Sequence, residues 1–123
     1  LFLLGQMQWG GGIVAQDPAA ARLNFERAAK AGHPAARIVS TNLLASGIAG
    51  TRDWAGAVMR LASEAAIDPR RKVQIDLLGK MHIDAAGNPL RVRERAVLSD
   101  SPWVRRFPGL LTAAECAYLV DVA

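Results

Sequence analysis

The chain has 123 residues and a mass of 13.1 kDa, and its 15 basic and 11 acidic groups leave a net charge of +4. Hydrophobic residues at 51% and charged residues at 21% exclude a wholly disordered chain and fit one small domain, or one domain plus a fragment of a second. A single cysteine, Cys116, excludes an intramolecular disulfide framework and a multi-cysteine zinc site.

The opening LFLLGQMQWGGG predicts a short helix running into a glycine turn. It has no basic leader and no small-residue cleavage site, so it does not read as a secretory signal. No apolar run approaches the roughly 18 to 20 residues that span a bilayer, so no membrane partner is expected. With one cysteine, these features predict a cytoplasmic protein. A start at Leu1 suggests an interior slice of a longer chain, and twelve arginines against three lysines point to a GC-rich bacterial source.

Asp17 before Pro18 is the next start signal: an N-cap carboxylate followed by proline at the first helical position, where its missing N–H costs nothing. Ala21, Phe25, Ala28 and Ala29 then recur at helical spacing as an apolar stripe, with Arg22, Glu26, Arg27 and Lys30 expected to face water. Gly32 supplies a left-handed stop and Pro34 bars simple continuation. A helix restarts at Ala35-Ala36 and runs to about Ser46 with Ile38, Val39 and Leu43 inward. Gly47 and Gly50 turn the chain, Asp53 caps again, and Trp54, Val58, Leu61, Ala62 and Ala65 form the next stripe. Asp68-Pro69 repeats the signal and opens a helix to roughly His82, with Val73, Leu77, Leu78 and Met81 buried.

This grammar has a period of 36: Gly11 falls on Gly47, Asp17 on Asp53, Ala21 on Ala57 and Ala29 on Ala65. Apolar residues fall on apolar ones as well, Phe25 on Leu61, Leu23 on Met59, Leu3 on Val39 and Met7 on Leu43. With 23 alanines and aromatics at only 6%, helices built on small side chains can approach closely. The predicted fold class is mostly α: antiparallel helix pairs stacked as a short superhelix, with a small strand, loop and helix segment at the C-terminal end.

Leu4-Gly5, Gly10-Gly11-Gly12, Asp17, Ala28-Ala29 and Gly32-His33-Pro34 together resemble the Sel-one-like repeat, a relative of the tetratricopeptide repeat (TPR). The second unit departs from it, with Ser40-Thr41 in place of the leucine-glycine pair and Glu64-Ala65 in place of the paired alanines. In the third, Leu78-Gly79 returns at an offset of 74. The resemblance covers roughly residues 1–84 and implies a helical solenoid that holds a protein or peptide partner. Polar groups on the first helix of each pair would line its inner surface, which nominates Gln6, Arg37, Asn42 and Lys80 for partner contact.

After Asp84 the helical period fails. Ala85-Ala86-Gly87-Asn88-Pro89 is a breaker cluster, and Leu90, Val92, Val97 and Leu98 predict a strand near 90–98. Ser99-Asp100-Ser101-Pro102 turns the chain into a second extended run, Trp103–Phe107. Thr112-Ala113-Ala114-Glu115 reads as a capping box, and Cys116, Leu119, Val120 and Ala123 share one face of the helix behind it, which makes Cys116 a small core residue.

The stretch Ser101–Val120, with Leu111, Thr112, Glu115 and Cys116 at its centre, looks like the opening of a prolyl 4-hydroxylase-type domain. This resemblance divides the chain into repeats (1–84), a linker and strand (85–102) and the truncated start of a second domain (103–123). It implies that the full-length parent is an iron(II)- and 2-oxoglutarate-dependent dioxygenase, with its catalytic residues beyond this chain. The His-x-Asp letters of such an iron site occur at His82-Ile83-Asp84, but ahead of the opening segment and at a helix end, and no second histidine follows. No catalytic, cofactor-binding or metal-binding residue is therefore assigned.

The remaining polar and aromatic features read as structural. His33 fits a turn between units, the glycine triplet lacks the later glycine of a dinucleotide fingerprint, and Trp9 and Trp54 are packing anchors beside glycine turns. The clusters Arg70-Arg71-Lys72, Arg91/Arg93/Arg95 and Arg105-Arg106 alternate with Glu94, Asp100 and apolar residues, the pattern of a solvated face and not of a nucleic-acid reader. Three functions follow: a repeat interaction module without catalysis of its own, the leading part of a dioxygenase, or an oligomerisation domain that associates through its C-terminal third.

Overall fold

The computed structural model describes residues 1–91 and 94–123. Its elements, in chain order, are α1 (Phe2–Gly10), α2 (Pro18–Lys30), α3 (Pro34–Ser46), α4 (Trp54–Ala65), α5 (Pro69–Leu78), β1 (Ala96–Asp100), β2 (Trp103–Arg106) and α6 (Ala113–Val122). The described residues are thus mostly helical, with one small two-stranded antiparallel sheet. From α1 to α5 each helix packs on the next in the chain. None of the helices described is long and apolar enough to cross a membrane.

Each start signal forms as a cap. Asp17, Asp53 and Asp68 accept from the backbone N–H of Ala20, Gly56 and Arg70, which satisfies a donor that the first turn leaves free. Proline occupies the first position of α2, α3 and α5. Before α3, the capping acceptor is His33 Nδ1, 3.3 Å from the N–H of Ala36, and the imidazole stacks on Phe2 at 4.4 Å.

The period of 36 returns in the backbone. Gly11 N–H donates to Met7 O at 2.9 Å, and Gly47 N–H to Leu43 O at 3.0 Å. Asp17 N–H reaches Gln8 O and Asp53 N–H reaches Leu44 O, both at 2.9 Å. Even the side chains ahead of the caps match: Gln16 Nε2 donates to Trp9 O and Arg52 Nε to Ala45 O. Gly11 and Gly47 sit at φ 73° and 75°, where a side chain is strained, so the same residue is needed at both turns.

Ala21, Phe25 and Leu43 form the buried centre, with Phe2, Trp9 and Val39 packed against it. Gly5 lets α1 approach α2, because a Cβ there would lie 2.7 Å from the Phe25 ring. In the next unit Ala57 and Leu61 take the buried places of Ala21 and Phe25.

Several expectations are corrected. Arg22 and Glu26 do not face water; α3 and the loop after it cover that side of α2, and both side chains are half-buried and engaged there. α5 stops at Leu78, short of His82, because the chain tightens at Gly79 into i→i−3 bonds, Lys80 to Leu77 and Met81 to Leu78. Val73 is 51% exposed, and Arg71 is instead the buried residue of α5. Ala62 is exposed as well, while Leu77, Leu78 and Met81 are half-buried.

The strand expected over 90–98 is in part outside the described residues, at positions 92 and 93. Leu90 lies before any strand, and β1 begins only at Ala96. β1 pairs with β2 through a bulge at Leu98 and a turn whose Ser101-Pro102 peptide is cis. Arg105 closes this hairpin, paired to Asp100 at 2.8 Å and lying over the Trp103 ring. α6 carries the expected capping box in full, with Thr112 and Glu115 bonded in both directions. It buries no residue, and Cys116 is exposed, because none of the described residues covers the face that it shares with Leu119 and Val120.

Candidate functional site

Two inter-helix polar clusters and the grooves above them are the chemically distinctive features of the chain. They start from Ser40 and Thr41 on α3, adjacent residues that are 1% and 3% exposed. Neighbours on a helix point about 100° apart, so each hydroxyl can serve a different partner helix. Ser40 donates to Glu26 Oε1 of α2 at 2.7 Å, and Thr41 donates to Glu64 Oε1 of α4.

Each carboxylate also takes an arginine. Arg60 of α4 reaches Glu26 Oε1 at 3.0 Å, which ties α2, α3 and α4 together. Burial pushes the Glu26 carboxyl up, but hydrogen bonds from Ser40 and Arg60 and the charges of Arg60 and Lys30 outweigh it, so the group titrates below its ordinary range. Arg71 of α5 donates to Glu64 Oε2 at 2.7 Å and is 4% exposed. Its other nitrogens reach Gln74 Oε1 at 2.7 Å, Asn42 Oδ1 at 3.2 Å and Ile38 O at 3.2 Å, which leaves a buried cation well satisfied. Gln74 in turn donates to the Tyr118 hydroxyl at 2.9 Å, a polar tie between α5 and α6.

Two further arginines lock loops. Arg22 donates to Ile48 O and Thr51 O in the turn before α4. Arg52 donates to Ala86 O and Asn88 Oδ1 in the turn over 84–88, where Gly87 lies so close under the Trp54 ring that no Cβ fits. The Asp84 carboxylate closes that turn by accepting from Ala86 N–H and from the N–H and side-chain amide of Asn88. The Asn88 backbone bond, followed by the other turn bonds and the charge of Arg52, holds its carboxyl below the usual range. His82 O accepts from Leu90 N–H in the same turn.

The four residues nominated for partner contact do not share one groove. Gln6 lines a groove of about 370 Å³ between α1 and α3, with Phe2, Trp9 and Phe25. Asn42 lines an apolar groove of about 230 Å³ bounded by α3, α4 and α5, with Trp54, Leu61 and Tyr118 in its wall. Arg37 lines a groove of about 490 Å³ that carries several charged side chains, with α2 on one side and α4 on the other. Val39 and Leu43 serve the Gln6 groove, about 200° around α3 from Arg37 and Thr41. Lys80 is exposed in the turn after α5.

Sequence reasoning missed the Ser40-Thr41 pair as anything but a departure from the repeat. The available signal was two adjacent hydroxyls in an otherwise apolar helix centre, with a glutamate on each flanking helix. No protein-family model, curated protein or solved structure matches the chain.

Proposed function

We propose that the chain is a helical-repeat interaction module of the Sel-one-like, TPR-like kind, its helix pairs stacked as a short superhelix, with no catalysis of its own. The observation that carries the reading is the recurrence at 36 residues of the same backbone bonds, caps and positive-φ glycines in two successive units. Packing of each helix on the next supports it, since repeats that bury their faces only against neighbours build an extended surface of grooves. The partner is a protein or peptide, and cytoplasmic localisation belongs to the same reading.

Selection of random displayed peptides on the purified chain tests it. The expected result is a consensus sequence that binds saturably and is lost with Gln6→Ala or Asn42→Ala, both at exposed positions. Failure to enrich any peptide over an uncoated surface contradicts it.

A second reading, the parent as a prolyl 4-hydroxylase-like dioxygenase, draws on the strand β2 and the complete capping box of α6, the two features that carried the resemblance. Iron and 2-oxoglutarate do not fit the residues present. Both Asp84 oxygens are taken up in closing their turn, and no cluster of three or more His, Cys, Asp or Glu side chains suited to a metal occurs among the described residues. A longer reading frame with a His-x-Asp pair, a distal histidine and a basic residue after position 123 is what this reading requires.

A further inference from the structure

We infer that the groove between α2 and α4 binds a carboxylate of an extended acidic peptide, clamped by Arg37 with Lys30 at its rim. The inference rests on the interaction-module reading and names the partner chemistry of one groove. The groove is lined by Glu26, Lys30, Arg37, Arg60 and Glu64 around a floor that includes Thr41. Its two carboxylates are already neutralised, Glu26 by Arg60 and Glu64 by Arg71. Lys30 and Arg37 are left over, and neither makes an ion pair among the described residues. Lys30 lends its charge to Glu26 through space without touching it.

Arg37 is the unusual member. Its Nε is buried and has no hydrogen-bond partner among the described residues, a state that Arg105 Nε shares. The other nitrogens of Arg105, however, reach Ser99 O and Asp100, and the arginines at 22, 52, 60 and 71 likewise find acceptors. An unpartnered buried donor of a guanidinium is costly, and a planar fork with free N–H groups is shaped for a carboxylate. Asp68 is the further acidic group among the described residues that line a second groove beside Arg37, and it is occupied in capping α5. The groove is open and large enough for several side chains, so an extended segment carrying Asp or Glu can lie along it. Arg37 and Thr41 are on the side of α3 away from Val39 and Leu43, so this site is separate from the apolar groove of Gln6.

The test is an NMR titration of the whole chain, following the Arg37 Nε–Hε resonance as blocked tetraglutamate is added, with blocked tetraglutamine and inorganic phosphate in parallel. The expected result is a saturable shift with tetraglutamate alone. It weakens as salt is raised, falls at least tenfold in affinity in Arg37→Gln, and falls several-fold in Lys30→Gln, whose exposed position leaves the fold intact. Arg37→Lys keeps the charge but not the fork and recovers only part of the affinity. No shift, an equal response to tetraglutamine or phosphate, or an unchanged affinity in a folded Arg37→Gln chain overturns the inference. If displayed peptides bind saturably while this resonance stays still, the groove assignment fails and the interaction module stands.

Discussion

Glu26 and Arg71 illustrate how single polar side chains hold helices whose apolar contacts are modest. The folded Glu26 carboxyl titrates below its unfolded value, so its contribution to stability is complete above the unfolded pKa of about 4.3 and is lost as pH falls through the lower folded value. Glu26→Gln is expected to cost about 1 kcal/mol near pH 7, since its partner Arg60 is partly solvated, and to flatten part of the acid limb of a stability–pH curve measured by urea unfolding. Asp84 and Glu115, also held low by hydrogen bonds of which the largest come from the Asn88 and Thr112 backbones, keep the rest of that limb. Arg71→Met strands the largely buried Glu64 and takes a donor from Gln74, and a loss of about 3–5 kcal/mol is expected in the same assay. A loss below 1 kcal/mol would show that the cluster opens to water. At this scale the caps were legible, because Asp-Pro and Thr-x-x-Glu act through the local backbone. Arg71 was not, because burial of a cation depends on acceptors of which all but Gln74 are 7 to 33 positions away.

At the scale of elements, glycines separate close packing from simple turning. Gly5 lies where a Cβ would meet the Phe25 ring at 2.7 Å and Ala21 O at 3.2 Å, so Gly5→Ala is expected to pry α1 from α2 and cost about 1–3 kcal/mol. Gly10, at the end of the same helix, has nothing within 4 Å, and Gly10→Ala is expected to stabilise by a few tenths of a kcal/mol up to about 1. Thermal unfolding of the two variants checks both, and equal shifts would contradict the close approach at Gly5. The helices themselves were readable from apolar spacing and punctuation, and the third ends at Ser46 as expected. α5 ran short because Gly79, mid-helix in the first unit's pattern as Gly5, here ends the helix. The exposure of Cys116 escaped prediction for a different reason: amphipathic spacing says which face could be buried, not whether anything covers it.

For the molecule as a whole, stacked repeats imply additive stability. If each unit buries its apolar stripe only against its neighbours, a further copy of the unit inserts without disturbing the others, whereas a core closed on itself would be split by it. Residues 17–52 make one period, from one capping aspartate to the residue before the next, and the bonds at its two ends are equivalent. Each candidate groove is lined by three or more consecutive helices or the flanks of alternate ones, so a lengthened chain also gains groove surface of the same kind. The grooves were legible in the sequence only as polar positions on the first helices. Which groove each residue lines depends on the rotation of α3 between its neighbours. The most direct measurement is urea unfolding, followed by circular dichroism, of the chain with residues 17–52 duplicated in tandem. Stacked repeats predict undiminished helical signal per residue and a midpoint at higher urea than the parent chain. Aggregation, or loss of the cooperative transition, would contradict them.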